Sequence, residues 1–110
     1  MKHNILSINP SEIYFTHSRI RNRFTGCNKL INDTFLEITT NKTLISDIPM
    51  ITVFKFNNNY YSYNNRRLYL FKELYKIGII QNIDVYYTNI VPKTFDPNNT
   101  YSLNAKQRLR

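Results

Sequence analysis

Residues 60–68 read Tyr60-Tyr61-Ser62-Tyr63-Asn64-Asn65-Arg66-Arg67-Leu68 and connect a predicted strand to a predicted helix. The aromatic residues at the start of this stretch are typical of a strand. Apolar side chains then recur at helical spacing, at Leu68, Phe71, Leu74 and Tyr75. Asn64 or Asn65 is the expected N-cap, because an Asn side chain can accept a backbone N–H of the first turn.

The two arginines stand at an electrostatically unfavourable place. A helix N-terminus carries partial positive charge, so a cation there costs a few tenths to about 1 kcal/mol. A bound anion, held by backbone N–H groups and guanidinium groups together, would offset this cost. The first candidate anion is a phosphate. The alternative is that Arg66 and Arg67 point into solvent and the repulsion is tolerated.

Composition narrows the class of protein. The 110 residues suffice for one domain with one modest core, and a net charge of +8 favours polyanionic partners. The one cysteine, Cys27, excludes an intramolecular disulfide, and an intracellular setting, nuclear or cytoplasmic, is expected. No apolar run has the ~20 residues of a membrane span, and no signal peptide is recognised, so no membrane partner is expected.

Hydrophobic patterning predicts a mixture of strands and helices. The predicted strands cover residues 5–8, 13–15, 51–56, 60–63 and 83–87. One helix is expected to begin with Asn32 or Asp33 as its N-cap and to end near residue 41, and the other runs from about residue 66 to Gly78 as its C′ glycine. Turns are predicted at residues 25–28 and at Asn57-Asn58-Asn59, because Asn tolerates positive φ.

Two basic segments flank this pattern. Arg19, Arg21 and Arg23 alternate along residues 17–24, where a strand would place all three on one face and a helix would fan them out. Both alternatives stay open. Residues 93–110 carry a net charge of +3 and read as a loose basic tail, so the predicted organisation is a domain at residues 1–92 followed by that tail.

The chain resembles the ParB/sulfiredoxin superfamily in two motifs. Ile48-Pro49-Met50-Ile51-Thr52-Val53 is similar to the family's Pro-Ile-x-Val strand, and residues 61–68 are similar to its strand ending in Gly-Glu-Arg-Arg. ParB-like nuclease domains with an Asp-Asn-Arg-Arg-Leu motif are closer, and their early segment resembles Phe15-Thr16-His17-Ser18. The resemblance implies a small α+β fold, with a mixed sheet, a hairpin and two to three helices, whose helix start binds phosphate. The chain departs from it at Asn64, in place of Asp, and at Asn65, in place of the sulfiredoxin cysteine.

Hydrolysis of a phosphodiester needs positive charge on the developing phosphorane and a group that activates water. Arg66 and Arg67 are candidates for the charge and His17 for the base, although a half-packed surface histidine is the plainer interpretation. The predicted phosphate-binding set is Asn64, Asn65, Arg66, Arg67, Arg19, Arg21 and Arg23. Candidate ligands for a divalent ion such as Mg²⁺ are Glu12, Asp33 and Asp47, at spacings that match no metal motif.

The sequence thus predicts a nucleic-acid-binding domain, and a nuclease by its resemblance, with DNA favoured over RNA. Tyr60, Tyr61 and Tyr63 would suit a single strand by stacking on its bases, unless they only pack the hairpin. The alternatives are a nucleotide-binding phosphotransferase or NTPase on the same fold, and a DNA-binding module without catalysis. Reductase chemistry at Cys27 ranks last, because a reactive thiolate needs a lowered pKa.

Overall fold

The computed structural model describes residues 4–17, 19–24 and 28–107. These residues form a small α+β fold in which a five-stranded mixed sheet packs against two α-helices. The predicted fold class is confirmed. Cys27 and most of the predicted turn at residues 25–28 lie outside the described residues.

The sheet is built around β4. The strands are β1 (Asn4–Ile8), β2 (Ile13–Tyr14), β3 (Arg19–Ile20), β4 (Thr52–Phe56), β5 (Asn59–Ser62), β6 (Ile83–Thr88) and β7 (Lys106–Gln107). The main sheet has the order β1-β6-β4-β5-β2, in which β4 pairs parallel with β6 and antiparallel with β5. The short strands β3 and β7 form a separate parallel pair. The five predicted strands are confirmed, with ends that differ by a residue or two.

The hairpin between β4 and β5 turns through two asparagines. Asn57 has a φ of 50° and Asn58 a φ of 66°, which is the left-handed conformation that Asn tolerates better than most residues. Asn59 pairs with Phe56 and so belongs to β5, whereas the sequence placed it in the turn. The predicted turn is confirmed at the other two positions.

Helix α1 (Ile31–Thr39) begins earlier than expected. The predicted N-cap at Asn32 or Asp33 is wrong: Leu30 is the N-cap, and its carbonyl accepts the amides of Asp33 and Thr34. Burial of Ile31, which is 1% exposed, explains why the first turn starts there, because this gain outweighs a missing side-chain cap. Helix α2 (Asn65–Lys76) ends as predicted, with Gly78 at a φ of 81°.

The main core fills the space between the sheet and the helices. It joins Val53 and Val85 of the sheet to Leu68 and Leu74 of α2 and to Ile31 of α1, all of them almost fully buried. Each such side chain contributes about 1.5–3 kcal/mol by leaving water. In the described part of the chain neither helix has the length and apolar character needed to cross a membrane.

The C-terminal segment, residues 93–107, packs against the rest of the domain: its aromatic residues cover the opposite face of the sheet, and its end pairs with β3. Phe95 contacts the rings of Phe54 and Tyr61, with centroids 5.1 Å and 4.9 Å away, and stacks on Tyr101. The carbonyl of Ser102 accepts the amide of Phe15. The prediction of a loose tail is therefore wrong for these residues, because the aromatic side chains gain more by covering the sheet than by remaining in water.

Candidate functional site: a cationic cleft at the start of helix α2

A cleft of about 930 Å³ lies at the start of α2. Its walls come from the segment around β3, from α1, from the loop before β4 and from the first turn of α2. Five cations line it, together with two carboxylates, those of Glu37 and Asp47. The cations are Arg19, Arg21, Lys29, Arg66 and Arg67. The volume is within the usual range for ligand-binding clefts.

Two asparagine side chains fix the start of α2 against the sheet. The Asn64 Oδ1 atom accepts the amide of Thr52 at 2.8 Å, at the beginning of β4. Asn65 accepts the amide of Thr16 at 2.9 Å through Oδ1 and donates to Thr16 Oγ1 at 2.8 Å through Nδ2. Thr16 in turn donates to the carbonyl of Ser62. The first turn of α2 is thus held to the start of β4 and to the segment that follows β2.

These bonds change the predicted role of the asparagines. Asn64 is the N-cap residue, as expected, but its side chain makes no capping hydrogen bond because Thr52 occupies the oxygen. Both polar side-chain atoms of Asn65 form hydrogen bonds with Thr16. Both residues line the cleft, yet their side chains serve to position the helix start. The first turn of α2 therefore has no hydrogen bond from the side chain of its N-cap residue.

Arg67 reaches the cleft from a half-buried position. Its Nη1 atom donates to the carbonyl of Met50 at 2.9 Å, and burial lowers the pKa of its guanidinium group from the ordinary value. Within the described residues the ion pairs are Lys29 with Glu37 and Lys76 with Glu73, so no carboxylate there compensates the charge of Arg67. A partly desolvated cation with only a neutral partner favours an anion beside it.

Two of the three alternating arginines line the same cleft. Arg19 and Arg21 are exposed and flank Ile20, which is 4% exposed, so this segment is extended as a strand would be. Arg23 does not line the cleft: its Nη1 donates to the carbonyl of Asn28. The structure therefore gives no support to the predicted phosphate-binding role of Arg23, because the strand ends before it and its side chain bonds to a nearby carbonyl.

His17 is exposed and lines the cleft together with both arginines of α2. Of the three tyrosines proposed as stacking platforms, Tyr63 lines the cleft, and Tyr60 and Tyr61 do not. Tyr61 is 8% exposed and packs in the aromatic cluster with Phe54 and Phe95. Tyr60 packs against the main core and contacts the ring of Tyr87 on β6. For Tyr60 and Tyr61 the structure therefore favours the plainer interpretation, in which these side chains pack the sheet.

Of the two carboxylates of the cleft, Asp47 was named from the sequence, as a candidate metal ligand, and Glu37 was missed. Glu37, on α1, accepts hydrogen bonds from Lys29 and Thr43, and the bond to Lys29 is the main reason that its pKa is lowered. Asp47 accepts the amide of Leu44. Glu12 and Asp33 lie elsewhere than in the cleft lining. The one sequence feature that could have indicated Glu37 is its position near the end of an amphipathic helix, and this feature is common to many surface residues.

The described residues do not fit a magnesium site. Among them no three carboxylate, histidine or cysteine side chains lie together as metal ligands would. Both carboxylates of the cleft already accept hydrogen bonds from the protein, Glu37 from a cation. The prediction of a bound Mg²⁺ therefore has no support in this donor set, which offers cationic side chains for an anion instead.

Comparison of the chain with protein-family models, with curated proteins and with solved structures found no match.

Proposed function

We propose that this domain binds nucleic acid, with a phosphate held at the start of α2 and a second phosphate held by Arg19 and Arg21. The observation that carries the proposal is that Arg67, half-buried and without a compensating carboxylate among the described residues, shares one cleft with Arg19, Arg21 and Arg66. Guanidinium groups suit phosphate because their planar donors match its oxygens in pairs.

A nucleic acid accounts for more of the cleft than an isolated phosphate does. The arginines come from two separate elements, the β3 segment and α2, and so can contact successive phosphates. The net charge of +8 adds long-range attraction for a polyanion. We also propose, from the motif at residues 61–68, that the chain is a divergent ParB/sulfiredoxin-like domain. In that family this helix start binds phosphate.

The binding role is tested by replacing Arg67 with Gln, which removes the charge but keeps an N–H group for the carbonyl of Met50. Fluorescence anisotropy with a labelled single-stranded DNA should show affinity about tenfold lower, as expected for one charge-assisted contact. The slope of log affinity against log salt should become shallower by about 0.7, the value for one phosphate of a single strand.

Arg23→Gln is the matched control. It removes the same charge from an exposed arginine that does not line the cleft, so its affinity should stay within about twofold of the parent. Equal losses in the two variants would mean that binding follows net charge alone and would contradict a phosphate site at α2. Displacement of the DNA by a nucleoside triphosphate at low concentration would instead favour the nucleotide-binding alternative.

Cleavage of the bound strand is the second candidate function, and the location of His17 in the same cleft as Arg66 and Arg67 favours it. In that reaction the imidazole takes a proton from water as the water oxygen bonds to phosphorus, and the arginines stabilise the negative charge that develops. The bond from phosphorus to one sugar oxygen breaks, and that oxygen leaves with a proton from solvent. His17→Ala should lower the cleavage rate about 10²-fold or more while the DNA affinity changes little. A parent protein that binds and never cleaves would leave the non-catalytic module as the function.

A further inference from the structure

The lining of the cleft carries charges of both signs. The arginines stand on α2 and on the β3 segment, and the carboxylates of Glu37 and Asp47 stand on α1 and in the loop before β4. Lys29 is paired with Glu37. A phosphate is attracted by the arginines and repelled by the carboxylates, so the part of the ligand that approaches a carboxylate is an uncharged group.

We propose that Asp47 selects the nucleobase of the bound strand by accepting a hydrogen bond from its amino group. This inference rests on the proposed function, since it takes the phosphates to be held by the arginines. A carboxylate is an acceptor at both oxygens, and an amino group of cytosine, adenine or guanine is its natural donor. Thymine carries no amino group: its one donor at this edge, N3–H, lies between two carbonyl oxygens, which a carboxylate repels.

The two carboxylates of the cleft differ in how far their charge is compensated and in how many acceptor sites the protein already uses. Glu37 accepts bonds from Lys29 and Thr43 through the same oxygen, and its charge is compensated by the lysine. Asp47 is exposed, accepts the amide of Leu44 through Oδ2, and forms no ion pair among the described residues. Asp47 is therefore the carboxylate with an uncompensated charge and an oxygen for a ligand.

Two aromatic rings in the lining suit a base in this cleft. Phe24 is half-buried and Tyr63 is 38% exposed, and both line the cleft along with the arginines and Asp47. The hydroxyl of Tyr63 donates to the carbonyl of Ile90, which holds the ring in place. Stacking on such rings is tolerant of sequence, so a choice among bases must come from a polar group at the base edge.

The test compares single-stranded oligo(dC) and oligo(dT) of equal length by anisotropy at one salt concentration. The parent protein should bind oligo(dC) about fivefold or more tightly, the lower end for one base-specific contact. In Asp47→Asn the preference should fall to less than about twofold, because an amide can donate to thymine as well as accept from cytosine. The amide oxygen can still accept from Leu44, so the local turn is kept.

Asp84→Asn is the matched control, because Asp84 is an exposed carboxylate on β6 that does not line the cleft. It makes the same change of net charge and should keep the preference for oligo(dC). Equal binding of the two oligomers by the parent, or an unchanged preference in Asp47→Asn, would overturn the inference. A preference for RNA over DNA without a choice of base would overturn it too, by assigning Asp47 to a ribose hydroxyl. Binding of no oligomer at all would instead contradict the proposed function.

Discussion

Two cations of α2, Arg67 and Lys72, are withdrawn from water in different surroundings. Arg67 faces the cleft and donates to a backbone carbonyl. Lys72 is 8% exposed, and its Nζ lies 5.2 Å from the centroid of the Phe15 ring. Burial lowers the pKa of both groups, and for Lys72 it lowers the pKa to about 8, with repulsion from Lys76 as a smaller cause. A guanidinium stays charged under these conditions, whereas this ammonium titrates close to neutrality.

Replacing Lys72 with Met should stabilise the protein. The methionine keeps an apolar stem against Phe15 and removes an ammonium whose burial costs more than its contact with the ring returns. We expect the free energy of unfolding at pH 7 to rise by about 2 kcal/mol, which follows from the lowered pKa at 1.36 kcal/mol per unit with a discount for partial solvation. Urea denaturation followed by circular dichroism measures it.

The pH dependence gives a second check on Lys72. Its pKa is about 8 in the folded state and near 10.5 when unfolded, so the unfolded chain binds more protons between these values. The stability of the parent should therefore gain from this group as pH rises from 8 towards 10.5, and the advantage of the methionine variant should shrink over the same range. Lys93→Met, at an exposed lysine, is the control; an equal gain there would assign the effect to net charge.

At the scale of single elements, α2 shows where sequence reasoning succeeds and where it stops. Its apolar spacing, its N-cap position at Asn64 and its end at Gly78 are local properties, and the sequence predicts them. The hydrogen bonds of Asn64 and Asn65 are not local: their partners are Thr52 and Thr16, which are 12 and 49 residues away. The hydrogen bond from Thr52 replaces the capping hydrogen bond expected of Asn64. No local sequence pattern predicts a hydrogen bond between residues so far apart in the chain.

The C-terminal segment is the other element whose structure was not predicted from the sequence. Phe95→Ala tests how this segment packs. The substitution removes a ring that contacts Phe54, Phe56, Tyr61 and Tyr101. Because Phe95 is half-buried, we expect the free energy of unfolding to fall by about 2 kcal/mol, less than for a core phenylalanine. Thermal denaturation should show a midpoint lower by roughly 10 °C.

Leu103→Ala is the control for that substitution, since Leu103 lies in the same segment and is 37% exposed. It should lower the midpoint by no more than about a quarter as much. Phe95→Ala with an unchanged midpoint would mean that the segment does not stay on the sheet in solution, as the interpretation of residues 93–110 as a loose tail requires.

At the scale of the whole molecule, the cleft is assembled from distant parts of the chain. Charge and residue type were enough to predict the arginines of the β3 segment and of α2, and the structure brings four of these five predicted arginines together. The carboxylates of the cleft come from α1 and the loop before β4, where Glu37 and Asp47 carry no motif. Their meeting with the arginines depends on how the helices pack, a property of the complete core.

The hydrogen bonds of Asn64 and Asn65 also make changes in the cleft detectable by spectroscopy. The amide protons of Thr16 and Thr52 end on these two side chains, immediately beneath the helix start. Nuclear magnetic resonance detects each backbone N–H as a separate signal, whose frequency depends on the length of its hydrogen bond. The amide resonances of Thr16 and Thr52 thus report on the first turn of α2. They do so without a label near the arginines of the cleft.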